Sequence, residues 1–123
     1  MEFEELTRKI IGASIDVHKI LGPGLLESAY EECLFYELTQ QGLRVERQKP
    51  VPIVYKEIKL DYGYRIDLLV EDIVIIELKS IDAFAPIHEA QILTYMKFAN
   101  KKIGLLMNFN VTVLKNGLKR YVL

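Results

Sequence analysis

Residues 64–80 read YRIDLLVEDIVIIELKS, two apolar segments on either side of the acidic pair Glu71-Asp72. Apolar segments of this length joined by a short polar turn predict a β-hairpin. The second segment is apolar at both odd and even positions, which is typical of a strand covered on both faces of a sheet. We therefore predict a buried hairpin against which the rest of the chain packs.

Three charged residues, Asp67, Glu77 and Lys79, interrupt this apolar hairpin. Side chains alternate along a strand, so Glu77 and Lys79 share one face. Because a buried charge without a partner is costly, we expect the three side chains to meet one another or a metal ion.

The apolar pattern also predicts how the two strands pair. Pairing of residues 66 with 78, 68 with 76 and 70 with 74 gives one continuous apolar face and sets Asp67 opposite Glu77 on the other. A slip of one residue separates the two acids and splits the apolar face. This register requires an odd-length turn around residues 71–73, or an even-length turn with a bulge.

Length and composition indicate an ordinary globular protein. The chain has 123 residues, half of them hydrophobic, and a formal net charge of −1, which predicts a single domain over residues 1–123. No apolar run approaches the length of a membrane span, and the acidic start is unlike a signal peptide. The single cysteine, Cys33, excludes an internal disulfide and suits a reducing compartment, so we expect a cytoplasmic protein.

Helical periodicity appears in three places. Apolar residues at steps of three and four predict a helix over residues 3–20, ended by Gly22-Pro23-Gly24. A second helix is predicted over about 25–41, capped by Gly42, with these buried positions: Leu26, Ala29, Tyr30, Cys33 and Leu38. A third is expected from Pro86 to about Asn100. Its predicted inward side is Ile87, Ala90, Leu93 or Thr94, and Phe98, beside a polar stripe of His88, Gln91 and Tyr95.

The remaining segments are predicted to be extended. Residues 43–55 form one or two pieces that Pro50 and Pro52 confine to an edge or a bulge, and residues 58–62 extend the sheet. Residues 103–108 form a buried strand and residues 119–123 a last edge strand. This order of elements predicts an α/β domain with a mixed sheet between helices.

Two carboxylates and a lysine on one sheet face suit metal-dependent phosphodiester hydrolysis. Asp67 and Glu77 offer hard oxygen ligands to Mg²⁺, which keeps several waters for use as a nucleophile. Lys79 is then placed to orient that water and steady the developing negative charge. The alternative is a partly buried salt-bridge cluster that fixes the hairpin register.

Gln91 and Tyr95 lie one helical turn apart on the helix that follows Glu77 and Lys79, so both can face the same site. Their alternative interpretation is a solvent-facing amide and a half-buried aromatic ring. His88 is better explained as a polar residue at the start of its helix. Asp16 and His18 are two positions apart on a helix and therefore do not form a catalytic pair.

Five segments resemble the GxxExxY protein family over nearly the whole chain. They are GLLESAY at 24–30, RID at 65–67, ELK at 77–79, HEAQILTY at 88–95 and GLLMNF at 104–109. That family is placed in the PD-(D/E)XK nuclease-like superfamily. The resemblance implies a restriction-endonuclease-like α-β-β-β-α-β core with the site on the central sheet.

The same resemblance implies residue roles. Asp67 and Glu77 would be metal ligands, with Glu27 as an additional acidic residue from the first core helix. Lys79 would be the catalytic lysine. Gln91 and Tyr95 would be supporting residues of the active site from the second core helix.

We therefore expect a Mg²⁺-dependent nuclease, with Mn²⁺ as a possible substitute, that acts on DNA or RNA. A near-neutral charge leaves any nucleic-acid contact to local patches. The basic residues that could hold a strand are Arg44, Arg47, Lys49, Lys56, Lys59, Lys97, Lys101 and Lys102, and their alternative is a solvated face. The chain is small and we expect no interleaving of aromatic and basic residues, which predicts weak sequence specificity or dependence on a protein partner.

Two other classes of function compete with the nuclease. One is a non-catalytic module that retains the site to stabilise a nucleic-acid or protein interface. The other is a structural or homo-oligomeric protein, because the apolar C-terminal strand can pair between chains. No membrane partner is expected.

Overall fold

The computed structural model describes residues 3–123 of the chain. The helices are α1 (Glu4–Leu21), α2 (Glu27–Gln40) and α3 (Pro86–Ala99). The strands are β1 (Val45–Pro50), β2 (Ile53–Tyr55), β3 (Ile58–Leu60), β4 (Arg65–Val70), β5 (Val74–Lys79), β6 (Ile103–Asn108) and β7 (Leu118–Val122). The predicted helices, the buried strand at 103–108 and the last edge strand are confirmed within two residues at their ends.

A five-stranded sheet in the order β1-β4-β5-β6-β7 forms the centre of the fold. Only β5 and β6 run parallel, and the other neighbours are antiparallel, so the sheet is mixed as predicted. The βα crossover through α3 makes that parallel pair possible. The order α2, β1, β4, β5, α3, β6 is the expected restriction-endonuclease-like α-β-β-β-α-β core.

Each face of the sheet has its own apolar cluster. On one face, α1 and α2 pack on side chains that include Leu68, Ile76 and Leu105. On the other, α3 packs on side chains that include Leu69 and Ile75. The alternation of consecutive residues between the two clusters explains why residues 74–76 of β5 are all apolar.

The predicted hairpin is β4 and β5. Leu68 pairs with Ile76 and Val70 with Val74, and a three-residue turn at 71–73 joins the strands. Glu71 and Asp72 adopt left-handed backbone angles there, with φ of 54° and 57°. The odd-length turn is therefore confirmed.

The open end of the hairpin differs from the prediction. Pairing stops at Leu68 and Ile76, so residues 66 and 78 are not paired as expected. Ile66 packs in the α3 cluster while Leu68 packs in the opposite one, and the predicted continuous apolar face is wrong at this residue. The strict alternation of β4 breaks at Asp67, which stands between them.

Two further expectations are wrong. Residues 58–60 pair only with β2, in a separate two-stranded hairpin, so this segment does not extend the main sheet. Leu26 is 77% exposed because it precedes the first turn of α2, and Leu34 is buried in its place.

The side that α3 turns inward was predicted only in part, since Leu93 and Phe98 pack partly buried against the cluster but Ile87 and Ala90 are exposed. Its buried residues are Ile92, Tyr95 and Met96, whereas Ile87 is 70% exposed. Gly104 on β6 leaves room for Met96 on this side of the helix, because a Cβ atom there would lie 2.6 Å from the Met96 sulfur. The helix therefore packs closely on β6 and carries Gln91 and Tyr95 toward the sheet.

Within residues 3–123, no helix has the combination of length and apolar character needed to cross a bilayer.

Candidate active site

Asp67 and Glu77 bind each other's strand at the open end of the β4–β5 hairpin. The Asp67 N–H donates to Glu77 Oε2 at 2.8 Å, and the Leu78 N–H donates to Asp67 Oδ2 at 2.8 Å. These two bonds occupy N–H groups that regular strand pairing would otherwise use. Each carboxylate is therefore held by the backbone of the neighbouring strand, and the two acids lie close together.

The carboxyl group of Glu77 is buried and that of Asp67 is partly buried. Glu77 is 4% exposed, and burial together with the nearby charge of Asp67 raises its pKa to about 8. Burial also raises the pKa of Asp67, although the hydrogen bond from Leu78 opposes the shift. Because these two neighbouring carboxylates repel each other, the site favours a nearby positive charge.

Lys79 supplies part of that charge from the same strand. Its ammonium group favours the ionised forms of both Asp67 and Glu77. Lys79 Nζ donates to Gln91 Oε1 at 3.4 Å, and Gln91 Nε2 donates to the Tyr95 hydroxyl at 3.3 Å. Gln91 and Tyr95 of α3 thus face the acids.

Tyr95 is the end of this chain of contacts. It is 6% exposed, and its pKa is raised by burial and by the negative charge of Glu77. Its hydroxyl therefore stays protonated and able to donate a hydrogen bond over the whole physiological pH range. The alternative interpretation of Tyr95 as a half-buried aromatic ring is therefore wrong, because the ring is buried.

Glu27 approaches from α2. Glu27 Oε2 accepts the N–H of Ser80 at 3.3 Å, and its charge contributes to the raised pKa of Glu77. Tyr30 from the same sequence motif is buried, and its hydroxyl donates to the Gly22 carbonyl at 2.6 Å and accepts the Leu25 N–H at 3.1 Å. Tyr30 therefore fixes the loop that leads into Glu27.

Sequence reasoning missed Gln48 and Glu31, which lie near Asp67. Gln48 Nε2 donates to Glu31 Oε1 at 2.6 Å and lies 3.4 Å from Asp67 Oδ1. The Gln48 backbone is left-handed, with φ of 51°, an unfavourable conformation that is common at functional sites. Arg47 pairs with the same Glu31 at 3.2 Å. Only the β1–β4 register, which sets Arg47 and Lys49 beside Leu68 and Ile66, reveals that Gln48 flanks Asp67.

The residues that we did not assign to the site, His88, His18 and Asp16, lie outside it. His88 Nδ1 accepts the Ala85 N–H at 2.8 Å, so it caps its helix as predicted. His18 Nε2 contacts the Val111 carbonyl at 2.7 Å, and Asp16 is exposed on α1.

The donor set fits a divalent ion, with two protein carboxylates and the rest from water. Across residues 3–123, no three Asp, Glu, His or Cys side chains are grouped closely enough to hold one ion. Asp67 and Glu77 alone give two hard, mutually repelling oxygen donors, and Mg²⁺ and Mn²⁺ accept such donors together with several waters. Glu27 as a third ligand stays a prediction.

A sequence model of the PD-(D/E)XK nuclease superfamily matches residues 4–121. The chain belongs to this superfamily. Neither the curated proteins nor the solved structures contain a significant match to it. PD-(D/E)XK nucleases generally use divalent metals and act on nucleic acid, so membership supports a nuclease at this coarse level.

Proposed function

We propose that this PD-(D/E)XK protein is a metal-dependent nuclease of the GxxExxY family, a single domain over residues 1–123 that hydrolyses phosphodiester bonds in DNA or RNA. Asp67 and Glu77 hold Mg²⁺ or Mn²⁺, with Glu27 as an additional acidic residue. Lys79 is the catalytic lysine, and Gln91 and Tyr95 complete the site.

One observation carries the proposal. The carboxylates of Asp67, partly buried, and Glu77, buried, are fixed by hydrogen bonds from the Leu78 N–H and the Asp67 N–H respectively, and the pKa of Glu77 is raised to about 8. A salt-bridge cluster built for stability would lower carboxyl pKa values instead. A bound cation would offset the repulsion between the two adjacent carboxylates.

The chain's own groups divide the chemistry between them. A bound divalent ion supplies Lewis-acid stabilisation of the phosphoryl oxygens and a source of activated water. Asp67 and Glu77 keep their oxygens in fixed positions because the backbone N–H groups of the hairpin hold them. Burial keeps the dielectric low, which strengthens each of these electrostatic contacts.

Lys79 orients the attacking water and faces the negative charge that develops on the phosphate. Gln91 accepts a hydrogen bond from Lys79 and donates one to Tyr95, so it sets the direction of the ammonium group. The Tyr95 hydroxyl is a donor placed to contact a phosphate oxygen or the leaving group.

A second candidate is a binding module that retains the fold without catalysis. It is favoured by the grouping of two rather than three acidic side chains within residues 3–123. Calorimetry with Mg²⁺ or Mn²⁺ on the native protein and on Asp67→Ala separates the two. Binding that disappears in the variant supports the nuclease, and no binding to either protein supports the module.

The test of catalysis uses labelled single- and double-stranded DNA and RNA with Mn²⁺ or Mg²⁺. We expect cleavage by the native protein, none with a chelator, and a loss of at least about a hundredfold in Lys79→Ala. Lys115→Ala, which removes an exposed lysine from the 3-10 turn before β7, is the matched control and should retain activity. Equal cleavage by native protein and Lys79→Ala would contradict the assignment.

A further inference from the structure

The hairpin formed by β2 and β3 stands apart from the central sheet. Its strands pair only with each other, Ile53 with Leu60 and Tyr55 with Ile58. Ile53 packs against the α3 cluster, which anchors the base of the hairpin. Tyr55 and Ile58 at its tip are 60% and 57% exposed, so the tip extends beyond the core.

Exposed aromatic residues continue from this hairpin into β4. Tyr62 is 77% exposed and Tyr64 is 43% exposed. Tyr30 and Tyr95, by contrast, are buried in the two apolar clusters. Large aromatic surfaces left in water are common at binding sites, where they supply contact area at low entropic cost.

Basic side chains lie between these aromatic residues. Lys56 Nζ lies 5.4 Å from the centre of the Tyr55 ring, Lys59 is on β3, and Arg65 follows Tyr64 directly. Our expectation that no aromatic–basic interleaving exists is therefore wrong for residues 55–65. Glu57 and Asp61 lie in the same segment and partly offset its charge, which explains why composition gave no signal.

The segment leads directly to the candidate active site. The Tyr64 carbonyl accepts the Val51 N–H at 2.9 Å, and Arg65 Nη1 donates to the Gln48 carbonyl at 3.1 Å. Gln48 in turn contacts Asp67, as described above.

We propose that residues 53–65, which we name the aromatic arm, hold an unpaired nucleic-acid strand beside Asp67 and Glu77. This inference rests on the proposed nuclease function and adds a substrate class to it. Bases stack on the exposed tyrosine rings, and Lys56, Lys59 and Arg65 contact the phosphates. Rings stack on bases only where the bases are not already stacked in a duplex, which is why the substrate is single-stranded or locally unpaired.

The test is direct binding of labelled single-stranded DNA and RNA, and of a duplex of the same sequence, by fluorescence anisotropy. Binding is measured with a chelator, where hydrolysis does not contribute, and with Mg²⁺ after a gel has shown the oligonucleotides to be intact. We expect single strands to bind more tightly than the duplex. With at most three phosphate contacts, the logarithm of affinity should fall against the logarithm of salt with a slope of about −2.

The decisive variant is Tyr62→Ala. Loss of one stacking ring should weaken single-strand binding roughly fivefold or more, while Tyr62→Phe should bind like the native protein because it retains the ring. Tyr36→Ala is the matched control, since Tyr36 is 58% exposed on α2 and lies outside the arm. Because Tyr62 is exposed, the thermal unfolding of all three variants should match the native protein.

Three results would overturn the proposal: no binding of single strands by the native protein, equal binding by Tyr62→Ala, or a duplex bound as tightly as the strand. If the native protein cleaves while Tyr62→Ala binds normally, the arm proposal fails and the nuclease stands. If binding follows the expectation but no substrate is cleaved, the nuclease fails and the arm stands as a strand-binding surface.

Discussion

The two ends of the β4–β5 hairpin carry two acidic pairs in different surroundings. At the turn, Glu71 accepts the Arg44 N–H, and the pKa of Asp72 is lowered, chiefly by its hydrogen bond from Lys101. At the open end, the pKa values of Asp67 and Glu77 are both raised, chiefly by burial. The turn acids stabilise the folded chain, whereas the folded structure disfavours the ionised forms of the site acids.

This contrast within one hairpin identifies the functional end. A protein selected for stability alone would place its acids as Asp72 is placed, in water and beside a lysine. Acids kept buried and close together weaken the metal-free fold, a cost that is typical of active sites. The following predictions test the two ends against each other.

The largest effect is expected on catalysis. Asp67→Asn should lower Mn²⁺-dependent cleavage at least about a hundredfold, because it removes an ionised oxygen donor for the metal. Asp72→Asn is the same chemical change at the other end of the hairpin and should leave cleavage unchanged. Initial rates on a labelled oligonucleotide measure both variants, and a similar loss in the two would remove the distinction between the ends.

Metal binding should depend on pH through Glu77. Its pKa of about 8 means that the carboxyl group is mostly protonated at pH 7 and must lose that proton to bind a cation. Affinity for Mn²⁺ should therefore rise with pH and level off above about pH 8, and near pH 7 binding should release about one proton. Calorimetry in two buffers of different ionisation enthalpy counts the proton, and a pH-independent affinity would contradict this role.

The stability of the metal-free protein should also depend on pH through Glu77, but it should fall as the pH rises. The folded-state pKa of Glu77 is raised from 4.5 to about 8, so the folded protein holds this proton more tightly than the unfolded chain. Its stabilising contribution is complete below about pH 4.5 and is lost as the pH rises through 8.

Glu77→Gln should remove this loss. It should raise the free energy of unfolding by about 1–3 kcal/mol at pH 8.5 and change it little at pH 5. Urea unfolding at the two pH values is the measurement, and an equal effect at both would show that Glu77 is not held in a raised-pKa state.

The smallest effect is expected at the turn. The pKa of Asp72 is lowered, so its stabilising contribution is present above the ordinary aspartate pKa and is lost as the pH falls through the lowered value. Asp72→Asn should therefore destabilise the protein slightly at neutral pH, and added salt should shrink the difference because the pair with Lys101 is exposed. A stabilising Asp72→Asn would contradict the contrast between the ends.

The strand pattern was enough to predict the turn end of the hairpin. Apolar residues in β4 and β5 specify the pairing of Leu68 with Ile76 because any slip exposes core side chains. The pattern failed at Ile66, because hydrophobicity carries no information about side chains that bond to the neighbouring backbone. Asp67 and Glu77 make such bonds, and the strands change their pairing there.

The α3 and β1 sides of the site were harder to predict. Apolar residues occur all around α3, so its inward side depends on the space that Gly104 leaves for Met96, which is a tertiary effect. Gln48 lies in a polar edge strand, where the sequence does not distinguish a residue of the site from its solvent-exposed neighbours. Its place beside Asp67 follows from β1–β4 pairing, between segments far apart in the chain.

The most direct measurement is a crystal structure of the protein soaked in Mn²⁺, with the ion located by its anomalous scattering. We predict one strong peak with carboxylate oxygens of both Asp67 and Glu77 within about 2.3 Å. We also predict that this peak is absent from crystals of Asp67→Asn. A peak that contacts neither residue, or an identical peak in the variant, would contradict the assignment of these two acids as the metal site.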